Sequence, residues 1–389
     1  MEDRAFISFY KQHDFVPNQV PEHHRALHFR RRDALYRQLG IVSGLLKGRD
    51  VIEFGPGSGD NSVHTASFGL GSLVLVDGHD VSIAELRRKA GDGRFPADCD
   101  IYESDVLAFT DARRFDLVIA EGLIHDRSDT KPFCRHMAEF ARPGGIVVIT
   151  TIDPVSSFAD ICRRLFKPIY MARDKDFDTC MKSLAALFKP DLDALPGFAR
   201  THYDWVLDNI FHPLPLDRFF PFPDAVAALT DDFDVYASHP HFFSDWRWWK
   251  AIAGSEAYNE RALAQYRRWL PLLIDSRADP EVVAQPRCDG ALLETLCREA
   301  YKLHLAAWDA DDPGLIPPIL IKIEEIVALL RPALPETASS FADLVASLRA
   351  ALAGRTPDFG RFLGLFGRGQ QYVSFIRRSA PPYSPPPGP

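Results

Sequence analysis

Val51-Ile-Glu-Phe-Gly-Pro-Gly-Ser-Gly59 is the stretch whose reading decides the fold, together with the next apolar run, Leu73-Val-Leu-Val-Asp77. A short apolar strand carries one acid, Glu53, and then breaks into glycines at alternate positions, Gly55, Gly57 and Gly59. Glycine lets a backbone turn tightly and approach a ligand closely, because no side chain intervenes. A helix is expected after the turn, with its free N–H groups pointing at whatever lies over the loop. The acid that closes the second strand, Asp77, stands where it can accept both hydroxyls of a ribose. The pattern predicts a nucleoside-containing cofactor at the carboxyl edge of a parallel sheet.

The spacing bears on which cofactor that is. The dinucleotide fingerprint is G-x-G-x-x-G, whereas here the glycines are Gly55, Gly57 and Gly59 and the next residue is Asp60. An aspartate beside a pyrophosphate would be repelled. S-adenosyl-L-methionine has no phosphate; it carries an ammonium, a carboxylate and a sulfonium, and tolerates Glu53 and Asp60 nearby. Glu53-Phe-Gly55-Pro-Gly57-Ser-Gly59 resembles the first motif of class I S-adenosyl-L-methionine-dependent methyltransferases, Asp/Glu-x-Gly-x-Gly-x-Gly, at every fixed position. Arg142-Pro-Gly-Gly145 resembles the turn that precedes the fifth strand in that family. More weakly, the lead-in Phe29-Arg-Arg-Arg-Asp-Ala-Leu-Tyr36 resembles bacterial methyltransferases of surface-glycan or secondary-metabolite pathways.

The resemblance covers residues 50–150 and reaches a final strand near the end of the chain. It implies an α/β fold: a doubly wound, mostly parallel seven-stranded sheet of the Rossmann-like methyltransferase kind, with a helical insertion before the last strand. It also implies residue roles. Asp77, with Gly78 beside it, would take the ribose. Asp105, with Val106, would meet the adenine amino group. Glu121 and Gly122 at the mouth of the fourth strand would face the methionine part, and Asn61 its amino-acid end.

Composition sets the outer bounds. The chain has 389 residues, 46% of them hydrophobic, and a net charge of −8. That is enough for one large domain or two smaller ones, each with its own core. The negative balance disfavours nucleic acid and anionic membranes as partners. No apolar run approaches ~18 residues, so no membrane span is expected. Met1-Glu-Asp-Arg4 lacks the basic-then-apolar pattern of a signal peptide, and the six cysteines show no C-x-x-C spacing. A cytoplasmic protein with reduced thiols and no metal centre is expected. His239-x-His241 has no supporting acid or cysteine spacing for a metal.

Along the chain, residues 1–48 read as a helical lead-in or lid. Its basic crowd (His23, His24, Arg25, His28, Arg30, Arg31, Arg32) is either a solvated helix face or a positive rim, and Tyr10 and Phe29 are placed to shape a lid. Residues 49–244 form the expected cofactor-binding core. Continuous apolar strands at 51–54, 73–76, 99–102, 115–120 and 145–151 alternate with helices near 59–69, 80–90 and 130–142, which indicates a parallel sheet covered on both faces. Helices are expected near 155–172 and 176–188, and a sixth strand at 233–243. Helical periodicity near 256–274, 291–307, 316–331 and 338–353 makes 245–366 the expected insertion. The last core strand falls in 367–378, and a proline-rich tail occupies 379–389.

Methyl transfer to an alcohol needs a general base with a pKa near about 7. His125 and Asp126 stand just past the fourth strand, a histidine with an acid to orient it. His202, Tyr203 and His212 are runners-up, in an aromatic and proline-rich segment from Phe198 to Pro223. A second aromatic group, Phe242, Phe243, Trp246, Trp248 and Trp249, suits stacking on a planar ligand, packing of the insertion or binding of a partner. The expected activity is methylation of a hydroxyl on a small molecule or sugar, with a homodimer through the insertion left open. Two other classes stay in play: an NAD-linked oxidoreductase, and a non-catalytic scaffold that binds a protein partner through the insertion.

Overall fold

The computed structural model describes residues 9, 22–125, 127–195, 197, 198, 200–242, 244–252, 258–280 and 288–379. In chain order its main elements are α1 (Arg25–Gln38), β1 (Asp50–Phe54), α2 (Asp60–Ala66), β2 (Ser72–Asp77), α3 (Asp80–Gly91), β3 (Cys99–Glu103), β4 (Phe115–Ala120), α4 (Thr130–Ala138) and β5 (Ala141–Thr151). There follow α5 (Phe158–Arg164), α6 (Phe166–Arg173), α7 (Phe177–Asp193), α8 (His202–Val206), α9 (Phe222–Leu229) and β6 (Phe233–His239). The last are α10 (Tyr258–Trp269), α11 (Gly290–Ala310), α12 (Pro317–Leu330), α13 (Pro335–Leu352) and β7 (Gln371–Arg377).

All seven strands join one sheet in the order β3-β2-β1-β4-β5-β7-β6. The pairs from β3 to β5 are parallel, while β7 runs antiparallel to both β5 and β6. The central strands are mostly apolar because helices cover both faces: Val51, Ile52, Leu73, Val74, Leu75, Val118, Ile149 and Val373 are all fully buried. On one face, Tyr36 of α1 and Leu39 just after it, Val63 of α2, and Ile83 and Leu86 of α3 pack against Val51, Leu73, Leu117 and Val148. The strand order reverses its direction between β1 and β4, and a sheet of this kind carries its ligand outside the carboxyl ends of the strands at such a point.

The chain divides into two compact units: a sheet unit of residues 10–151, 220–263 and 371–389, and a helical unit of residues 1–9, 152–219 and 264–370. This differs from the expected boundaries. Residues 152–219 group with the later helices and not with the sheet, so the helical part enters the chain as two pieces, before and after β6. Long-range polar contacts explain the grouping. Arg164 of α5 donates to the His304 ring of α11 at 3.2 Å. Lys167 of α6 donates to the Trp308 carbonyl at 2.9 Å and to Asp311 at 2.7 Å. Ile161, Phe219, Tyr301 and Leu305 share one apolar cluster. The remaining element readings agree closely with the structure; the expected helix at 155–172 is two helices, α5 and α6.

Arg163 of α5 is the largest fully buried side chain of the described residues. Its guanidinium donates to both carboxylate oxygens of Asp191 in α7, at 2.7 and 3.2 Å, and to the Leu365 carbonyl at 2.6 Å. Removing one partner of a buried pair strands the other charge. Asp191→Ala is therefore expected to lower stability by about 3–5 kcal/mol, read as the midpoint shift in urea unfolding. A loss below about 1 kcal/mol would mean that the pair is no more than a surface contact in energetic terms.

Candidate functional site

The turn after β1 has the predicted backbone. Gly55, Gly57 and Gly59 have φ values of +65°, +56° and +77°, in the left-handed region that glycine enters without steric cost. Two of them are also needed for packing. A Cβ on Gly55 would lie 2.8 Å from Leu123 Cδ1, and one on Gly59 would lie 2.5 Å from Leu86 Cδ2. Gly57 differs, for a Cβ there would meet nothing within 4 Å. Its Cα faces open space, the arrangement a backbone needs to receive a ligand.

Acids line the turn. Asp77 is buried and accepts two backbone N–H groups, Gly57 to Oδ2 at 3.1 Å and His79 to Oδ1 at 2.8 Å. Burial raises its pKa, against the pull of those two bonds. Glu53 is buried under the turn and accepts the Ser62 hydroxyl at 2.6 Å. Burial pushes its carboxyl up to about 7, with a further rise from Glu121 and Asp77. Among the described residues no lysine or arginine forms an ion pair with Glu53 or Asp77. Asp60 is different: Lys89 of α3, itself buried, reaches it at 2.7 Å and the Ser58 carbonyl at 2.6 Å. The repulsion expected of Asp60 is thus largely cancelled by Lys89, and Asp60 by itself does not exclude a phosphate.

Glu121 ends the acid series at the mouth of β4. Arg32 of α1 grips it with both terminal nitrogens, at 2.7 and 2.9 Å, and Asn61 adds a bond at 3.3 Å. The Arg32 guanidinium lies 5.0 Å over the Tyr36 ring, and the Tyr36 hydroxyl shares a 2.6 Å hydrogen bond with Thr65. Burial pushes the hydroxyls of Tyr36 and Tyr372 up to about 12. His28, half-buried, has its pKa lowered by burial and by Arg32, while a bond to Asn61 opposes the shift. Arg32 thus departs from the solvated basic face, being almost wholly buried. The signal was present: Phe29, Arg32 and Tyr36 fall on one helical stripe, which places Arg32 on the packed side. Lys89 was missed because nothing local ties it to Asp60, 29 positions away.

Gly122 has φ +67° and donates to Thr150 at 2.7 Å. Gly78 sits where the exits of β2 and β3 meet, 3.5 Å from the Ser104 carbonyl by its missing Cβ, and Ser104 donates to the Asp77 carbonyl at 3.0 Å. Asp105 is exposed and its carboxylate accepts the Leu107 N–H at 2.9 Å, so it caps a turn, while Val106 is buried. Glu53, the three glycines, Asn61, Asp77, Gly78, Glu121 and Gly122 all lie at the carboxyl ends of β1, β2 and β4.

The candidate bases are dispersed. His125 is half-buried, in the loop whose Leu123 rests on Gly55. Asp126 lies outside the described residues. His202 and Tyr203 belong to the helical unit, where the His202 ring meets Asp193 at 2.7 Å and the Tyr203 hydroxyl meets Asp178 at 3.5 Å. The first aromatic run is mostly interior packing: Trp205, Phe211, Phe219, Phe220 and Phe222 are buried. Among the described residues no group of three or more His, Cys, Asp or Glu is arranged to hold a metal, and no helix is long and apolar enough to cross a membrane.

Residues 22–191 match the family model described as a methyltransferase domain. No curated protein matches the chain. Three solved structures are among those the chain is similar to. The (4+2)-cyclase SpnF is 11% identical, with 90% of this chain and 81% of that one covered and a TM-score of 0.38. The N-methyltransferase NodS of Bradyrhizobium japonicum, in complex with S-adenosyl-L-homocysteine, is 13% identical over 60% of this chain and 89% of its own, with a TM-score of 0.36. Magnesium protoporphyrin IX methyltransferase of Synechocystis PCC 6803, with bound S-adenosyl-L-homocysteine, is 16% identical over 60% and 84%, with a TM-score of 0.35. With its glycine turn, acid-closed second strand, strand order and family match together, the chain carries a methyltransferase domain of the class I S-adenosyl-L-methionine-dependent superfamily.

Proposed function

We propose that this methyltransferase transfers its methyl group to a hydroxyl of a small molecule or sugar, with the cofactor held by Glu53, Gly55, Gly57, Gly59, Asn61, Asp77, Gly78, Asp105, Val106, Glu121 and Gly122. One observation carries the cofactor reading. Two buried acids that form no ion pair among the described residues, Glu53 and Asp77, flank a turn whose Gly57 N–H is already donated to Asp77. A pyrophosphate needs such N–H groups free and acids distant; a cation needs the opposite. Bound there, S-adenosyl-L-methionine supplies a methyl carbon activated by its sulfonium. Asp77, fixed by its two backbone bonds, accepts the ribose hydroxyls, Glu121, held in one orientation by Arg32, faces the methionine part, and Asn61 its amino-acid end. This argument disfavours the NAD-linked alternative.

The hydroxyl acceptor is supported by His125. An amine attacks as its neutral form, whereas an alcohol must shed a proton, and an imidazole at the strand mouth is suited to take it.

Titration calorimetry tests the cofactor assignment. S-adenosyl-L-methionine should saturate the chain and NAD should give no heat. Asp77→Asn should weaken that binding by about tenfold or more, since a charged acceptor becomes a neutral amide. Saturation by NAD alone overturns the assignment.

Acceptor chemistry is tested with a panel of alcohols and amines, followed by S-adenosyl-L-homocysteine release. His125→Ala should lower kcat for alcohols by about a hundredfold. Turnover confined to amines and indifferent to this substitution rejects the hydroxyl reading.

Glu53 yields a pH prediction. Its folded value of about 7 lies above the unfolded value of about 4.3, so between the two the folded chain binds more protons and stability falls as pH rises. Glu53→Gln, neutral and of equal size, should match the wild type at low pH and exceed it above neutrality by up to roughly 3 kcal/mol. Urea unfolding of the cofactor-free chain across that range checks this; a pH-independent difference contradicts it.

A further inference from the structure

The second aromatic group separates into a buried part and an exposed part. Phe242 is buried against Phe222, with ring centroids 5.3 Å apart. Trp246, Trp248 and Trp249 instead stand 92%, 65% and 70% exposed. Trp205 and Trp308, by contrast, are buried. Three indoles within four positions, all turned outward, present an area on the order of 400 Å², the size at which an apolar patch on a soluble protein marks an interaction site.

The charges interleaved with them narrow the occupant. Arg247 is paired with Asp245, while Lys250 forms no ion pair among the described residues and holds its ammonium 5.2 Å over the Trp248 ring and 5.4 Å over the Trp249 ring. The cation thus covers the ring faces on which a sugar would stack. The Trp246 indole N–H is donated to Ser244 at 3.1 Å, so it is not reserved for a ligand hydroxyl. An indole, with an apolar body and one polar tip, is suited to the headgroup layer of a bilayer, and a lysine beside it can meet a lipid phosphate.

We propose that residues 244–252 form a reversible anchor that seats Trp246, Trp248 and Trp249 in the headgroup layer of a phospholipid bilayer, with Lys250 on the phosphates. The anchor lies within the sheet unit and is independent of the acceptor assignment. The chain's net charge of −8 opposes approach to an anionic surface, so insertion of the indoles carries the binding and zwitterionic bilayers suffice.

The test uses the full chain with phosphatidylcholine vesicles, by co-sedimentation and by quenching of tryptophan emission with brominated lipid. The wild type should partition onto the vesicles and be quenched. The triple variant Trp246→Ser, Trp248→Ser, Trp249→Ser should partition at least about tenfold less while keeping its circular dichroism and its cofactor binding. Lys250→Glu should weaken partitioning to a smaller extent. Wild-type protein that stays in the supernatant overturns the proposal, as does a triple variant that sediments like the wild type. A dimer that dissociates on the triple substitution, without vesicle binding, assigns the surface to a second copy and overturns it equally.

Discussion

The bond from the Gly57 N–H to the Asp77 carboxylate is the constraint on which the site depends. It ties the end of β1 to the end of β2 across the point where a ligand must lie. In the turn, the Gly55 N–H donates to the Val76 carbonyl and the Gly59 N–H to the Pro56 carbonyl, which leaves the Gly57 N–H without a backbone partner, and a part-buried donor left unpaired is costly. Asp77 settles that account for Gly57 and is itself oriented by it. The carboxylate is therefore fixed before any ligand arrives, so less ordering remains to be done on binding.

The other acids are balanced in different ways, and the differences sort them by role. Asp60 is neutralised by Lys89 and serves the turn. Glu121 is matched by Arg32 and is oriented rather than free. Among the described residues, Glu53 has the Ser62 hydroxyl as its one side-chain hydrogen-bond partner, and its pKa is raised by burial. A buried carboxyl with so little compensation is a strained element, and such strain is relieved by a positive charge close by. The site is thus under-compensated for cations, which is the electrostatic sense in which it differs from a diphosphate cradle.

Much of this was legible in the sequence. The strands β1, β2 and β4 could be read because each holds an apolar run that meets a glycine or an acid at its end, and both signals are local. Asp77 and the three glycines could be read for the same reason. Arg32 could be read only by placing it on a helical stripe with Phe29 and Tyr36, since its position in a run of arginines points the other way. Lys89 could not be read at all, because its partner is remote in the chain. Lys89 relieves the repulsion that Asp60 alone would exert on a phosphate, and the occupied Gly57 N–H is what counts against one.

The division of the chain was illegible for a related cause. Helical periodicity locates helices, but which helices share a core is decided by contacts far apart in sequence. Arg163, Arg164 and Lys167 stand among apolar residues in Ile161-Cys-Arg-Arg-Leu-Phe-Lys167, and charge alone would turn them to solvent. They are buried and are met by Asp191, by the carbonyls of His212, Trp308 and Leu365, and by Asp311. A packing that paired these helices in another register would leave several cations uncompensated, at a cost of several kcal/mol each. The apolar surface of the helical unit is compatible with many arrangements; the buried cations are compatible with few, and they join its first piece, 152–219, to its second.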